Sequence, residues 1–355
     1  MKIAPVTLVI PHRNRAYDIQ RNLKSFQNLK TIPQEIIIVD DFSKPDQRRL
    51  LRDILFEFKN LNIKLFFFRE HLGTSNAKNL GLINTQTPYI WFLDSDTEII
   101  NTDTLEIGCQ ILDQNPAIGV LGTEIVKDRN NQHHIREQYL LKNLWSAFIY
   151  HPIKKVFQKE VYFISSCNFL TRTKLINEIG GFHNKLESGE DKLACIQIQK
   201  LNYKILLDTR FAVLHHQSLE NRKDFLTRAR IKFRDDAFIY GTTSNIWKLL
   251  LLNIIFIISM PEFYKNTTKI YRQYGNAAAI NSKDTWDTSR SFNPINLIGK
   301  FITLGKIMLQ YFLANKTYMA IKGYYYNKKN KRNFQKFVCL LNNIHLEKLC
   351  NKIDL

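Results

Sequence analysis

The stretch "YIWFLDSDTEII", residues 89–100, is where the reading of the fold begins. Four apolar residues, Ile90 to Leu93, stop at two aspartates separated by one serine, Asp94-Ser95-Asp96. An apolar run without polar alternation reads as a strand buried on both faces, the environment of a parallel sheet covered by helices. Residues i and i+2 of an extended chain point to the same side, so both carboxylates face one small volume at the strand's end. Like charges held that close repel, so a cation is the expected visitor.

Outward from this strand the chain alternates. "VTLVI" (6–10), "EIIIVDD" (35–41) and "NIKLFFF" (62–68) read as further strands. Residues 16–29 carry Ile19, Leu23 and Phe26 at helical spacing, 46–60 form a second amphipathic helix, and 74–85 a short third one. Strand and helix at this rhythm predict an α/β fold, a Rossmann-like, mainly parallel sheet with helices on both faces. Ligands of such sheets sit outside the carboxyl ends of the strands. There the sequence places Pro11-His12-Arg13-Asn14, then Asp40-Asp41-Phe42-Ser43, then Asp94-Ser95-Asp96.

Two hard oxygen donors suit Mg2+ or Mn2+, with waters and phosphate oxygens filling the remaining positions, so a diphosphate is the natural complement. An Asp-x-Asp alone is also a turn or cap pattern, and Asp96 before "TEII" fits that reading too. A second polar constellation lies at 165–208, where Gly180-Gly181-Phe182 forms a sharp turn and Gly189-Glu190-Asp191 leads into another helix.

Taken together, these residues resemble the family 2 inverting glycosyltransferases of the GT-A fold. The matching positions are Asn14; Asp40, Asp41 and Ser43; Ala77, Lys78, Asn79 and Gly81; Asp94 and Asp96; and Gly180, Gly181, Phe182, Glu190 and Asp191. The "GGF…GED" portion looks like the galactosyl- and N-acetylgalactosaminyltransferase version of that region. The resemblance covers about residues 6–217. It implies a UDP-sugar donor held by Pro11, Asn14, Asp40, Asp41, Lys78, Asp94 and Ser95. It also implies a divalent cation, Mn2+ or Mg2+, on Asp94, Asp96 and a histidine of "AVLHHQS" (212–218), with His216 the better match and His215 second. Asp191 would be the general base, and Asn168, Gly181, Phe182 and Glu190 would meet the acceptor. Two positions depart from the family pattern. Lys78 stands where Arg is common, and so meets a phosphate without bidentate geometry. Ser166-Cys167 precedes Asn168 where a glycine is often found, which bears on the shape of the acceptor pocket.

The chain has 355 residues, 45% of them hydrophobic, and a net charge of +19. That size and composition predict a globular core rather than a disordered chain. Residues 241–355 carry 17 Lys and Arg against five Asp and Glu. Residues 246–260 are apolar but too short to span a bilayer, which takes about 20 residues. Residues 293–314 form a basic amphipathic segment, followed by the basic, aromatic stretch 322–337. This pattern suits either an anionic membrane surface or a helical domain packed on the sheet domain. The expected organisation is a GT-A domain over 1–241 and a basic, mainly helical region over 242–355 that serves as a membrane-surface or acceptor platform.

The five cysteines are widely spaced and none has metal-site spacing, which suits reduced thiols in a cytoplasmic protein. The first 15 residues read as a strand rather than a secretory leader. The expected location is cytoplasmic, with peripheral attachment to the inner face of the cell membrane left open. The expected partners are a UDP-sugar and a saccharide acceptor, lipid-linked or polysaccharide. A protein or peptide acceptor and a homodimer also stay open.

Rival classes are less well served. A dehydrogenase needs a Gly-rich turn after the first strand, and "PHRNR" has no glycine. A nucleotidyltransferase would leave the Gly180–Asp191 region unexplained. A non-catalytic basic protein binding nucleic acid or membrane would explain the charge but not carboxylates gathered at three strand ends, so no nucleic-acid partner is expected.

Overall fold

The computed structural model describes residues 2–127, 131–141, 145–153, 157–217, 225–243, 319–322 and 350–354, with single positions at 247, 254 and 324. The apolar segment 246–260, the amphipathic segment 293–314 and the basic stretch 322–337 lie outside the described residues, apart from isolated positions.

The first half follows the expected alternation. It runs β1 (Lys2–His12), α1 (Ala16–Phe26), β2 (Thr31–Asp40), α2 (Pro45–Leu55), β3 (Ile63–Phe68), α3 (Thr74–Ile83) and β4 (Tyr89–Leu93). Pro45 opens α2, where its fixed φ and missing N–H cost nothing. Next come β5 (Thr97–Ile99), α4 (Thr104–Gln114), β6 (Ile118–Leu121), β7 (Thr123–Lys127), β8 (His133–Leu141), β9 (Trp145–Pro152) and β10 (Gln158–Glu160). The remaining elements are β11 (Asn168–Arg172), α5 (Thr173–Glu178), α6 (Glu190–Lys200), β12 (Lys204–Asp208), β13 (Ala212–His215), α7 (Phe225–Thr243) and β14 (Cys350–Asp354).

Nine strands form the main sheet in the order β10-β12-β6-β11-β4-β1-β2-β3-β14. β1 pairs in parallel with β2 and β4, and β2 with β3. Successive side chains of a strand face opposite ways, and the two cores follow that rule. Leu8, Ile10, Trp91 and Leu93 enter one core with Ile19 and Leu23 of α1. Val9, Ile90 and Phe92 enter the other with Leu80 of α3 and Ile198 of α6. Helices on both faces are therefore a consequence of continuous apolar strands.

Two features go beyond the expectation of a mainly parallel sheet. β11 lies antiparallel between β4 and β6, which places Asn168 opposite Leu93 at the end of β4. A second sheet of five strands, β5-β13-β7-β8-β9, stands beside the acidic pair. β7, β8 and β9 pair in sequence order, while β13 joins them and β5 from a distant part of the chain. No helix among the described residues is long and apolar enough to cross a membrane.

Candidate active site

The loops that follow β1, β2 and β3 are bound to one another. The Asn14 backbone N–H donates to Ser43 Oγ at 2.7 Å, and Asn14 Oδ1 accepts from the Lys44 N–H at 2.7 Å. Asp41 accepts from the backbone N–H groups of Leu72 and Gly73 at 2.8 and 3.0 Å, and meets His71 Nδ1 at 2.8 Å. Asn14 has a φ of 53°, a left-handed conformation that asparagine tolerates better than most residues. These ties shape one rim at the carboxyl edge of the parallel strands, and Pro11 lies buried beneath it, in register with Val39.

The acidic centre stands at the end of β4. Ligand atoms of Asp94, Asp96 and His215 lie within 4.8 Å of one another. His215 Nε2 is 3.3 Å from Asp96 Oδ1, and Arg15 Nη1 is 3.4 Å from Asp96 Oδ2. Burial raises the Asp94 pKa; the Lys78 ammonium opposes this, and repulsion from Asp96 adds to it. Burial would lower the His215 pKa, but Asp96 and Glu124 outweigh it and hold the ring well above its usual value. Two carboxylates and an imidazole suit Mn2+, and accept Mg2+ less readily because of the nitrogen. This donor set therefore fits a divalent cation. Ser95 is buried between the two aspartates.

The base candidate stands at the N-terminus of α6. Asp191 Oδ2 accepts from the Ser166 N–H at 3.0 Å, and Oδ1 from the Lys192 N–H at 2.7 Å. Burial and the neighbouring Glu190 push its carboxyl up to about 6, against the pull of Lys78. Glu190 is tied to Lys78 Nζ at 2.8 Å. Burial would raise its pKa, but the Lys78 ammonium outweighs that and the net shift is downward. Lys78 itself is 1% exposed, donates to Ser166 Oγ, and lies 5.1 Å from the centre of the Phe182 ring. Its charge lowers the proton affinity of Asp94, Glu190 and Asp191 together.

Several sequence expectations need correction. His216 is not the residue at the acidic pair. Consecutive residues at the end of β13 diverge, and His216 Nε2 meets Glu98 Oε2 at 2.9 Å while His215 turns to Asp96. Asp40 is fully buried. Its Oδ1 accepts from the Ser43 N–H at 3.0 Å and Arg48 Nε at 2.9 Å, so it braces the rim. Lys78 is buried and stands on the Glu190 side, paired with that carboxylate.

Asn168 is fully buried with its amide occupied. Trp91 Nε1 donates to its Oδ1 at 2.8 Å, and its Nδ2 donates to the carbonyls of Thr123 and Phe211 at 2.9 and 3.0 Å. It ties β11 to β4, to β7 and to the turn before β13. Phe182 is 2% exposed and packs edge-on against Phe92, 4.8 Å between ring centres. Gly181 has a φ of 73°, and an added Cβ would lie 2.5 Å from Asn79 Oδ1. Asn79 grips this turn, donating to the Phe182 carbonyl at 2.7 Å and accepting its N–H at 2.8 Å. Gly181 and Phe182 thus form a buried turn fixed to α3 and packed on β4.

Arg15, Glu124, Arg136, Ser166 and Asp235 join this constellation without a motif in the sequence to mark them. Each belongs to a strand, helix or loop whose neighbours come from a distant part of the chain.

Residues 7–180 match the sequence model of Glycosyl transferase family 2. These residues, just under half of the chain, are similar to that family, and the α/β region has the GT-A fold. An uncharacterized glycosyltransferase of Haemophilus influenzae is 31% identical over 115 residues, 32% of this chain and 45% of that one. The GalNAc(5)-diNAcBac-PP-undecaprenol beta-1,3-glucosyltransferase of Campylobacter jejuni is 28% identical over 97 residues, 27% of this chain and 31% of that one. The chain thus spans less than half the length of either relative.

Two solved structures share the fold. The mannosyltransferase PcManGT of Pyrobaculum calidifontis, in complex with GDP-Man and Mn2+, superposes with a TM-score of 0.52 at 13% identity, covering 92% of this chain and 88% of that one. GalNAc-T7 with UDP, GalNAc and Mn2+ gives a TM-score of 0.52 at 15% identity, covering 67% of this chain and 50% of that one.

Proposed function

We propose that this chain is a metal-dependent, inverting glycosyltransferase that moves a hexose or N-acetylhexosamine from a UDP-sugar to a hydroxyl of a saccharide acceptor. The observation that carries the reading is the placement of two acidic centres on one edge of the sheet, Asp94–Asp96–His215 and Glu190–Asp191, with Lys78 between them. Carboxylates and an imidazole gathered this closely suit a divalent cation. A nucleoside diphosphate accompanied by a divalent ion supplies one.

In this reading the nucleotide lies along the rim formed by Asn14, Asp41 and Ser43. Asp94, Asp96 and His215 hold Mn2+ or Mg2+, which when bound neutralises the charge developing on the departing diphosphate. Asp191 takes the proton from the acceptor hydroxyl as its oxygen bonds to the sugar's C1. The C1–O bond to phosphate breaks on the opposite face, and the nucleoside diphosphate leaves. Glu190, fixed by Lys78, orients the acceptor. The region after residue 241 serves as the platform that presents a lipid-linked acceptor. This part draws support from its basic composition and from the lipid-linked acceptor that the Campylobacter relative's name states. The "GGF…GED" likeness supports galactose or N-acetylgalactosamine as the sugar.

The test has two parts. Thermal unfolding with UDP, GDP, CDP or TDP, each with and without Mn2+, should rise for UDP only when metal is present. A ligand at a hundredfold excess over its dissociation constant adds about 2.7 kcal/mol. Asp191→Asn should keep that shift and lose roughly 10²–10⁴-fold in transfer rate. Absence of a shift with every nucleotide would overturn the donor site.

A further inference from the structure

The second sheet carries a polar cluster directly behind the acidic centre. Glu124 on β7 stands opposite Arg136 on β8 and beside Val213 on β13. Its side chain is 4% exposed. Arg136 grips it with two donors, Nε to Oε2 at 2.8 Å and Nη2 to Oε1 at 2.6 Å. Glu124 Oε1 in turn lies 2.5 Å from His215 Nδ1, on the far side of the ring from Asp96. The chain Arg136–Glu124–His215–Asp96 is thus continuous and almost entirely withdrawn from water.

A carboxylate cannot be buried cheaply unless its charge is answered and its lone pairs are used. The bidentate guanidinium does both, so Glu124 is held in one orientation. An ionised Glu is acceptor-only, so it selects the tautomer in which Nδ1 carries the proton. Nε2, the nitrogen turned to Asp96, is then the one that gives up its proton and offers its lone pair to a cation. We infer that Glu124, fixed by Arg136, is the positioning residue that makes His215 rather than His216 the third ligand of the divalent cation held by Asp94 and Asp96. The inference rests on the proposed metal-dependent reading of that pair.

The same cluster could be taken for a second metal site, because Cys167 joins Glu124 and His215 within 4.8 Å. Arg136 argues against it. Its fixed positive charge already occupies Glu124, and a cation placed there would have no net attraction. The cluster therefore supports one cation from behind.

The test titrates the full chain with Mn2+, alone and with UDP or GDP, following uptake by electron paramagnetic resonance. Wild type should take up one Mn2+ per chain, and Asp94→Asn and His215→Ala should weaken it while His216→Ala does not. Glu124→Ala should weaken uptake about 10–100-fold. Glu124→Gln, which keeps an acceptor oxygen for Nδ1–H, should restore most of it. Wild-type affinity in Glu124→Ala, with uptake lost in Asp94→Asn, overturns the positioning role and leaves the metal reading standing. No uptake by wild type under any condition overturns both. A second measurement needs no variant: in ring-labelled wild type with Mg2+ bound, the 15N spectrum should show His215 protonated at Nδ1 and unprotonated at Nε2. An unprotonated Nδ1 would overturn the inference.

Discussion

Asp191 is a carboxyl raised to about 6 by burial and by Glu190, held back by Lys78. A base must be ionised to accept a proton, so the transfer rate should fall as pH drops through about 6. Its folded value exceeds the ordinary 3.8, so folding favours the protonated form. The resulting stability is fully present below about pH 4 and is lost as pH rises through 6. Glu190→Gln removes the repulsion and frees Lys78 to act on Asp191. Both changes favour the carboxylate, so the acid limb of the rate profile should move to lower pH. A limb that stays put or moves upward would contradict this placement.

Asn168 provides the contrasting case. It was expected to touch the acceptor, yet its amide is spent on Trp91, Thr123 and Phe211. Asn168→Ala should therefore destabilise the fold by about 1–3 kcal/mol for each polar group left buried and unpaired. Urea unfolding would show it, and a fully stable variant with weakened acceptor binding would restore the original expectation.

At the scale of elements, the loop that carries Glu190 and Asp191 is held by a helix outside the sheet. Asp235 of α7 accepts from the backbone N–H groups of Glu187 and Ser188 at 2.9 and 3.0 Å, and Lys192 of α6 pairs with Asp236. Asp235→Ala should release the amides of residues 187 and 188 to hydrogen exchange and slow transfer, leaving Mn2+ uptake unchanged. Unaltered exchange at those amides would remove α7 from the account.

The β1–β4 alternation was legible because strands buried on both faces show as unbroken apolar runs. The turn at Gly180-Gly181-Phe182 was legible too, but its reason was not. Asn79 lies 103 positions from Phe182 and holds that turn by two hydrogen bonds, a pairing that no local pattern encodes. A strand at 212–215 was legible from its apolar run, but its pairing with β5 and β7 across long loops was not.

At the scale of the molecule, the charge is divided. The described site gathers carboxylates, while the last third carries most of the positive surplus. If that third meets an anionic membrane, the protein should sediment with vesicles rich in phosphatidylglycerol and not with neutral ones. The bound fraction should fall steeply between low salt and about 0.5 M, as surface charges are screened. Equal binding to both vesicle types would remove the electrostatic argument for a membrane platform.

The sequence by itself determined the α/β alternation, the strand ends at which polar residues gather, and the identity of the acidic residues there. These follow from side-chain periodicity and from what stands at each strand's end. Only the tertiary structure decided what each residue does at that edge. It turned His215 rather than His216 toward Asp96, withdrew Asp40 and Asn168 into bracing roles, and set Lys78 between two acidic centres. The physical reason is that a polar side chain's role depends on which donors and acceptors surround it after burial, and here most of those partners lie tens of residues away.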